Sequence, residues 1–263
     1  MRYRIGFIGA GKVAWHLAPA LAKSGQEIIQ VISRSALSAQ KLGDRLSCQH
    51  SNNITDLIKD AEILFLTVPD HSLIEIINDI SDYRGLVIHT SGTFSPLRFA
   101  CQKYKHGGLY PLQTFTIGRT IDMSTVPVFV EGSEPAVARM IQGIAEGFTS
   151  KVYEMSFEER RWMHLAAVWA NNFSNFMLTE AYRILKLRGQ DPVWLEPLIR
   201  ETFDKALVIT PGRAQTGPAI RNDDITIRKH LDMLTDQPDM QELYRMITHS
   251  IRESETKTNI PGT

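Results

Sequence analysis

The chain has 263 residues and carries equal numbers of basic and acidic side chains, 29 of each. Hydrophobic residues make up 43% of it and charged residues 22%, a balance typical of a globular protein with a sizeable core. A neutral chain without a basic run offers no electrostatic footprint for nucleic acid. No apolar stretch reaches the length of about 18 residues that a membrane span needs. We therefore expect neither nucleic acid nor a membrane as a partner.

The cysteines and the amino-terminal stretch bear on metal binding and location. Cys48 and Cys101 lack metal-ligand spacing, so no metal is expected, and so few cysteines favour a reducing compartment over a structural disulfide. The amino-terminal stretch has a basic start and an apolar middle, but Gly9, Gly11 and Lys12 interrupt it, unlike a signal peptide. A cytoplasmic location is expected.

Short apolar runs alternate with amphipathic stretches through the first half of the chain. Strands are predicted at Arg4–Ile8, Ile28–Ile32, Ile63–Val68, Leu86–His89 and Val126–Val130. Helices are predicted at Val13–Lys23, Ala36–Leu46, Ile54–Lys59, His71–Ile80, Pro96–Lys103 and Glu134–Glu146. Near-continuous apolar strands separated by helices are typical of a doubly wound α/β fold with a parallel sheet.

The second half is predicted to be helical, with no strand. One long pattern runs from Ser156 to about Leu187, and further helices are predicted at Trp194–Ile209, Asp223–Leu234 and Met240–Arg252. Residues 1–155 are therefore predicted to form an α/β domain, and residues 156–263 a helical domain for substrate binding and dimerisation. Four aromatic residues of the long pattern are expected in the core or at a dimer interface: Trp162, Trp169, Phe173 and Phe176.

A glycine-rich turn joins the first strand to the first helix. The strand runs into Gly9-Ala10-Gly11-Lys12-Val13-Ala14, which is the G-x-G-x-x-A pattern of a Rossmann dinucleotide-binding domain. Gly9 permits the tight turn, Gly11 lets the backbone approach a pyrophosphate, and Ala14 keeps helix and strand close. The helix N-terminus adds free N–H groups and a positive dipole end. Dinucleotide binding is predicted, the alternative being a purely structural turn.

The end of the second strand indicates which dinucleotide is bound. An NAD site carries an acidic residue there to accept from the ribose 2′-hydroxyl, whereas this chain has Ser33-Arg34-Ser35. The planar fork of arginine donors, flanked by two hydroxyl groups, suits a 2′-phosphate. The alternative is a solvated loop arginine with two helix-capping serines. The prediction is NADP(H).

Five motifs resemble a bacterial family of Rossmann-like proteins with a helical C-terminal domain of unknown function, often described as NADP oxidoreductases. They are IGFIGAGKVAWHLAPAL, FLTVPD, HTSG, YPLQTF and AQTGPAIRND. The family resemblance covers nearly the whole chain. In the Rossmann half alone, the chain is similar to the superfamily of 6-phosphogluconate dehydrogenase, 3-hydroxyisobutyrate dehydrogenase, ketopantoate reductase and pyrroline-5-carboxylate reductase. The resemblance implies a homodimer formed through the long helix, and a substrate cleft between domains.

The resemblance also implies two further cofactor-binding segments. Val68-Pro69-Asp70 is expected on the nicotinamide-ribose side, and Thr90-Ser91-Gly92 beside the reacting ring. The residues themselves agree, because both segments follow predicted strands, and open α/β sheets bind ligands at the carboxyl ends of strands.

Hydride transfer requires a group that gives or takes a proton, and three side chains are candidates. His89 ends a predicted central strand, although it could simply bond to backbone there. His164 lies on the long helix and shares one helical face with Asn171 and Asn175. This polar stripe fits a cleft wall or a polar seam at a dimer interface, and both alternatives stay open. Tyr110 is a further candidate.

The chain departs from its better-known relatives on this helix. By resemblance, hydroxyacid dehydrogenases place a catalytic lysine one turn before an asparagine. If that asparagine is Asn171 or Asn172, the position four residues earlier holds Ala167 or Val168. The usual acid–base residue is therefore absent, and His164 is hypothesised to replace it.

Two segments are candidates for substrate binding. In placement, residues 215–223 resemble the substrate loop of pyrroline-5-carboxylate reductase. Thr216 and Gly217 would offer a hydroxyl and an N–H group at a turn, and Arg221 would clamp a carboxylate. The alternative is an ordinary Gly-Pro turn into a helix capped by Asp223 or Asp224. The YPLQTF segment adds the hydrogen-bonding residues Gln113 and Thr114.

The sequence thus predicts an NADP(H)-dependent oxidoreductase for a small, anionic carbonyl or imine substrate. An imine that binds in its protonated form needs no proton from an acid–base residue. The missing lysine therefore slightly favours an imine as the substrate. The alternatives are a dimeric NADP(H)-binding sensor or scaffold without turnover, and an enzyme that passes hydride between NADP and a deazaflavin.

Overall fold

The computed structural model describes residues 1–99 and 104–258. The chain divides into two compact units, the first over Met1–Phe173 and the second from Ser174 onward. The domain boundary predicted at residues 155/156 marks the change from alternating strands and helices to helices alone. The division into two units rests instead on packing, so the predicted boundary stays a prediction. Within the described ranges, no helix is both long enough and apolar enough to cross a membrane.

An eight-stranded sheet forms the centre of the first unit. The strands are β1 Arg4–Ile8, β2 Glu27–Ile32, β3 Gln49–Ser51, β4 Ile63–Leu66, β5 Leu86–His89, β6 Lys105–Pro111, β7 Val128–Gly132 and β8 Val152–Glu154. Their order is β3-β2-β1-β4-β5-β6-β7-β8, and all neighbours run parallel except β6 and β7. The doubly wound α/β fold is confirmed. Strand order reverses beside β1, which is where such sheets bind ligands.

Helices cover both faces of this sheet. They are α1 Lys12–Lys23, α2 Ala36–Leu46 and α4 Pro135–Glu146 on one face and α3 Asp70–Asp79 on the other, and α5 Phe157–Ala167 follows β8 in the chain. Successive strand residues point to opposite faces, so Phe65 packs into one buried apolar cluster while Leu64 and Leu66 pack into the other. The continuous apolar strands therefore fill two cores, which is why they carry no polar alternation.

Three strands were not predicted, namely β3, β6 and β8. β3 and β8 have only three residues each and contain polar side chains. β6 contains Gly107 and Gly108, which weaken the strand pattern. The residues packed against Gly108 explain why glycine is needed at this position. An added Cβ there would lie 2.7 Å from Arg160 Nη1 and 3.1 Å from His89 Cε1. Only tertiary packing reveals that requirement.

One predicted helix is shorter than expected, one is described only in part, and one changes type. The predicted helix Ile54–Lys59 is a 3₁₀ turn at Ile54–Asp56. The helix predicted at Pro96–Lys103 is a 3₁₀ turn at Pro96–Phe99, and its remainder, with Cys101, lies outside the described residues. The long pattern from Ser156 is α-helical over α5 and then π-helical at Val168–Phe173. There the backbone bonds i to i+5, a change that apolar periodicity does not reveal.

The second unit contains helices and no strand among its described residues. The helices are α6 Ser174–Lys186, α7 Glu196–Ile209, α8 Pro211–Ala214, α9 Asp224–Met233 and α10 Pro238–Thr258. α8 was not predicted.

The aromatic residues of the long pattern are not in a core. Trp162 and Trp169 are 71% and 65% exposed, and Phe173 and Phe176 are about half exposed. The expectation of core burial was wrong for all four, because helical spacing identifies an apolar face but not what covers it. The dimer interface stays a prediction.

Candidate functional site

The glycine turn after β1 is held by the strands on either side. Gly9 has a φ of +109°, and an added Cβ would lie 2.5 Å from the carbonyl oxygen of Thr67. The Gly9 N–H donates to Ile32 O at 2.7 Å, and Thr67 Oγ1 donates to Gly9 O at 2.8 Å. Both the backbone conformation and the lack of space require glycine here.

The N-terminus of α1 opens directly from this turn. Gly11 is its N-cap, no side chain caps the helix, and the first turn contains no acidic residue. The first N–H groups of a helix lack intrahelical partners, and the dipole places partial positive charge beside them. This helix end therefore offers N–H donors to an anion such as a pyrophosphate.

A cleft of about 420 Å³ lies at the carboxyl ends of β1, β2 and β4. Seven predicted cofactor-binding residues line it: Gly9, Ala10, Gly11, Ser33, Arg34, Val68 and Pro69. Sequence reasoning missed other polar lining residues, including Ser38, Asn52, Asn53 and Ser72. The structure thus brings the glycine turn together with Ser33-Arg34 and the residues after β4.

Three other predicted cofactor residues have local roles. Ser35 is the N-cap of α2, and its Oγ accepts from Ser38 N at 3.2 Å and from Ser38 Oγ at 3.0 Å. Ser38 lines the cleft one turn further on, and spacing from the capping serine could have identified it. Lys12 is exposed in the first turn of α1, and Val13 packs against the core. None of the three predicted residues lines the cleft.

A second cavity in the first unit, also of about 420 Å³, gathers four predicted catalytic and substrate residues. It is lined by Tyr110, Leu112, Gln113, Thr114, Met163, His164, Ala166, Ala167, Val168, Ala170, Asn171 and Asn172. The predicted residues are His164, Asn171, Gln113 and Thr114. Most of the other walls are apolar, as in many small-molecule sites.

Tyr110 and His164 form a hydrogen-bonded pair on the wall of this cavity. Tyr110 Oη lies 2.9 Å from His164 Nδ1. Burial raises the pKa of Tyr110, although the Arg160 charge opposes the shift, so the phenol keeps its proton near neutral pH. A phenol bonded to an imidazole can move a proton to or from a bound molecule.

The loop after β5 begins beside β4 and reaches the ring of His164, although Thr90, Ser91 and Gly92 line neither cavity. Thr90 N donates to Leu66 O at 3.3 Å, next to the cleft residues that follow β4. The Oγ of Ser91 accepts from the N–H groups of Thr93 and Phe94, at 3.0 and 2.9 Å. Gly92 packs against the His164 ring, and an added Cβ would lie 2.5 Å from Nδ1. The Thr90–Gly92 segment thus starts beside a strand that borders the dinucleotide cleft and ends against His164, and its expected place beside the nicotinamide stays a prediction.

His89 is buried away from both cavities. It is 1% exposed, and its Nε2 lies 3.5 Å from Glu131 Oε1 without hydrogen-bond geometry. Burial lowers the pKa of His89, with Glu131 opposing the shift. The structure does not bring His89 together with His164 at one cavity, and its placement suits an internal partner of Glu131. A direct catalytic role for His89 stays a prediction.

Sequence reasoning missed Arg160, which is 1% exposed on α5. Its Nη1 pairs with Glu131 Oε1 at 2.5 Å, and its other donors bond Phe94 O at 2.8 Å and Gly92 O at 3.4 Å. Burial favours a protonated Glu131, but His89 and Arg160 outweigh it and lower the pKa of Glu131. Arg160 therefore holds the loop that contacts His164. An arginine in a charged helix sequence gives no such signal, since it normally faces solvent.

The second unit holds the remaining predicted residues. Asn175, Thr216 and Arg221 are exposed, and Gly217 has a φ of +115°. Asp223 accepts from Thr226 N at 3.0 Å and caps α9, as the alternative of an ordinary turn predicted. A ligand role for this loop stays a prediction. Within the described ranges, no three His, Cys, Asp or Glu side chains are placed to hold a metal ion.

Comparisons with known proteins match both parts of the chain. A Rossmann-like domain model matches residues 1–100, and a domain of unknown function (DUF2520) matches residues 126–251. No curated protein sequence matches the chain. Among solved structures, a protein of Bacteroides fragilis, provisionally named an NADP oxidoreductase, is 34% identical. The match has a TM-score of 0.92 and covers 96% of this chain and 98% of that one.

Two more distant structures share the fold. A protein from Thermotoga maritima is 22% identical with a TM-score of 0.72, over 97% of this chain and 100% of that one. An imine reductase from Myxococcus stipitatus, in complex with NADP⁺, is 14% identical with a TM-score of 0.64, over 97% and 94%. Identity across nearly the full length of the Bacteroides protein, together with both domain matches, decides the assignment. The chain belongs to the family of Rossmann-like proteins with a C-terminal domain of unknown function (DUF2520).

Proposed function

We propose that this protein is an NADP(H)-dependent oxidoreductase that transfers hydride to or from a small, anionic carbonyl or imine compound. The observation that carries the proposal is the Thr90–Gly92 segment, which starts beside β4 at the dinucleotide cleft and ends against His164 of the Tyr110–His164 pair. Hydride transfer needs a nicotinamide beside a bound substrate and a group that exchanges a proton. We assign the nicotinamide and the substrate to the two cavities of the first unit, and the proton exchange to the Tyr110–His164 pair.

The residues of the cleft fit NADP(H). The Gly9–Gly11 turn and the α1 N-terminus would hold the pyrophosphate, and Arg34 with Ser33 and Ser38 would hold the 2′-phosphate. Val68 and Pro69 would border the ribose on the nicotinamide side. Support comes from the NADP in the name of the Bacteroides protein and from the NADP⁺ bound to the imine reductase.

The second cavity would supply the acid–base group that the missing lysine provides in the hydroxyacid dehydrogenases. Ala167 and Val168, the positions considered for that lysine, line the cavity, and the Tyr110–His164 pair faces the same space. His164 would exchange the proton, with Tyr110 as its relay partner. Asn171, Gln113 and Thr114 would hold the substrate. Asn175, Thr216, Gly217 and Arg221 are further substrate candidates from the second unit.

We also propose a homodimer formed through the helical second unit. Among the described residues of this unit, the buried hydrophobic side chains are only Ala219, Ile227 and Met240. Large exposed ones are numerous, and Leu207 and Val208 are 85% and 81% exposed. Exposed apolar surface on this scale indicates a protein interface. We assign this interface to a second copy of the chain, because each molecule always meets identical copies of itself.

A fluorescence titration with NADPH and NADH tests the cofactor. The wild-type protein should prefer NADPH, and Arg34→Ala should lose that preference through a weakening of NADPH binding by about tenfold or more. Arg139→Ala is the control, because Arg139 is an exposed arginine on α4 that does not line the cleft. Binding of neither dinucleotide by the wild-type protein would overturn the proposal.

Turnover then distinguishes the enzyme from its alternatives. NADPH oxidation in the presence of imines and 2-keto acids should be lost in His164→Ala and reduced in Tyr110→Phe. Tight NADPH binding without turnover of either substrate class would favour the sensor or scaffold. Reduction of a deazaflavin, without turnover of imines or 2-keto acids, would favour an enzyme that passes hydride between NADP and a deazaflavin.

A further inference from the structure

A third cavity of the first unit takes no part in the proposed function. Its volume is about 680 Å³, larger than either of the cavities described above, and it shares no lining residue with them. One face of α1 forms a wall with Trp15, Pro19 and Lys23. The other walls are Arg45 of α2, residues 118–124 and the Gly147–Phe148 turn after α4.

The lining of this cavity is basic, although the whole chain is neutral. Lys23, Arg45 and Arg119 each contribute a cation, and no acidic side chain of the described chain pairs with any of them. The one carboxylate is Asp122, which accepts from Ser124 Oγ at 2.7 Å and Ser124 N at 3.0 Å. These hydrogen bonds lower the pKa of Asp122, so it stays ionised. Three cations and one anion leave an excess of two positive charges.

One of the three cations is held in place before any ligand arrives. Arg45 Nη1 donates to Trp15 O at 2.9 Å, and its guanidinium carbon lies 4.7 Å from the centroid of the Trp15 ring. A guanidinium has five N–H donors, and the hydrogen bond to Trp15 O uses a donor on Nη1 alone. Pre-organised donors lower the entropic cost of binding an anion.

We propose that this cavity binds a small organic dianion, of the class of phosphate monoesters and dicarboxylates. The excess of two positive charges matches that ligand charge, and the fork of Arg45 suits both phosphate and carboxylate oxygens. A volume of about 680 Å³ lies within the range of small-molecule sites. The site is separate from the NADP(H) cleft, so its occupation requires no cofactor.

Isothermal titration of the full chain with glycerol phosphate and with succinate tests the proposal and separates the two sources of negative charge. One of the two probes should bind with one-to-one stoichiometry. The affinity should fall about tenfold in Arg119→Gln and in Arg45→Gln, since each removes a charge-assisted hydrogen bond. Lys23→Gln provides a third variant that leaves the Arg45–Trp15 contact intact.

Two control variants locate the binding event. Arg139→Gln removes an exposed charge elsewhere, and Arg34→Ala alters the dinucleotide cleft, so both should bind the probe as the wild-type protein does. If neither probe binds the wild-type chain, the proposal is wrong. It is equally wrong if binding is lost in Arg34→Ala, or if it survives unchanged in the three cavity variants. Since no NADP(H) is present, failure here is distinct from failure of the proposed function.

Discussion

At the scale of single residues, Arg160 links the sheet to the candidate site. Its guanidinium is buried, yet it pairs with Glu131 and donates to the backbone of the loop that ends against His164. A buried ion pair is not in itself strong evidence for stability, but removal of one partner leaves the other charge desolvated and unpaired. Glu131 would be the group left behind.

Arg160→Ala should therefore lower the free energy of unfolding by about 3–5 kcal/mol. The control is the neighbouring Arg161→Ala, whose exposed side chain pairs with Glu158 and should cost no more than about 1 kcal/mol. Urea denaturation followed by circular dichroism measures both. Equal losses for the two variants would show that the buried network does not stabilise the fold.

His89 gives the fold a pH dependence with a definite sign. Burial lowers the pKa of His89 from its ordinary value of 6.5, so the unfolded chain binds a proton on this side chain before the folded chain does. Its contribution to stability is complete above about pH 6.5 and is lost as the pH falls toward the folded pKa. Glu131, Arg160 and Asp70 are the charged groups that act on it, the two carboxylates opposing the shift and Arg160 adding to it.

The free energy of unfolding should fall as the pH drops below about 6.5, by at most ~1.4 kcal/mol per pH unit from this one group. His89→Asn should flatten that slope. Burial also lowers the pKa of His106, so part of the slope should remain in the variant. A slope that is unchanged by His89→Asn would contradict the assignment.

At the scale of elements, a change at the uncapped N-terminus of α1 should affect NADPH binding and the stability of the protein in different directions. Lys12→Glu places an acid in its first turn, which should leave the protein without ligand as stable or raise its stability by about 0.3–1 kcal/mol. NADPH binding should weaken, because the new carboxylate repels the pyrophosphate. Thermal unfolding with and without NADPH measures both effects.

Lys41→Glu is the matched control for Lys12→Glu. Lys41 is an exposed residue within α2 and does not line the cleft, so NADPH should stabilise this variant as it does the wild-type protein. If both variants lose NADPH stabilisation equally, the effect comes from net charge rather than from the helix end.

At the scale of the whole molecule, the exposed apolar side chains of α7 form part of the proposed dimer interface. Leu207→Glu and Val208→Glu should convert the proposed dimer to monomers or destabilise it strongly, because each places a charge in the interface. Leu97→Glu, at an 80% exposed leucine of the first unit, should leave the oligomer intact. Light scattering coupled to size exclusion measures the mass. A monomeric wild-type protein would end the dimer proposal.

Much of the first unit could be predicted from local sequence. The glycine turn, β1, β2, β5, α1 and α2 follow from patterns that act over a few residues, and the structure has them within one residue of the prediction. Ser33 and Arg34 line the cleft for the same reason, since their place at the carboxyl end of a strand follows from chain order. Val68 and Pro69, which the family resemblance implied, line it as well.

Other features depended on contacts between segments far apart in the chain. Arg160 meets Gly92 and Phe94 across more than sixty residues, and no local pattern distinguishes it from the exposed Arg161. His89 ended a strand as predicted, but only packing shows that its ring is enclosed. Ser38 lines the cleft because α2 turns it there, while Ser35 serves as the cap.

The sequence by itself therefore determined the doubly wound fold, the dinucleotide turn and the family, because each is encoded in short-range periodicity and motif. Tertiary structure decided which candidates share a cavity, and it placed Tyr110, His164, Gln113, Thr114 and Asn171 together. It also showed the buried Arg160–Glu131 pair and the cationic third cavity. The reason is physical: burial, pairing and enclosure are properties of side chains brought together from distant segments, and the linear order of residues does not contain those distances.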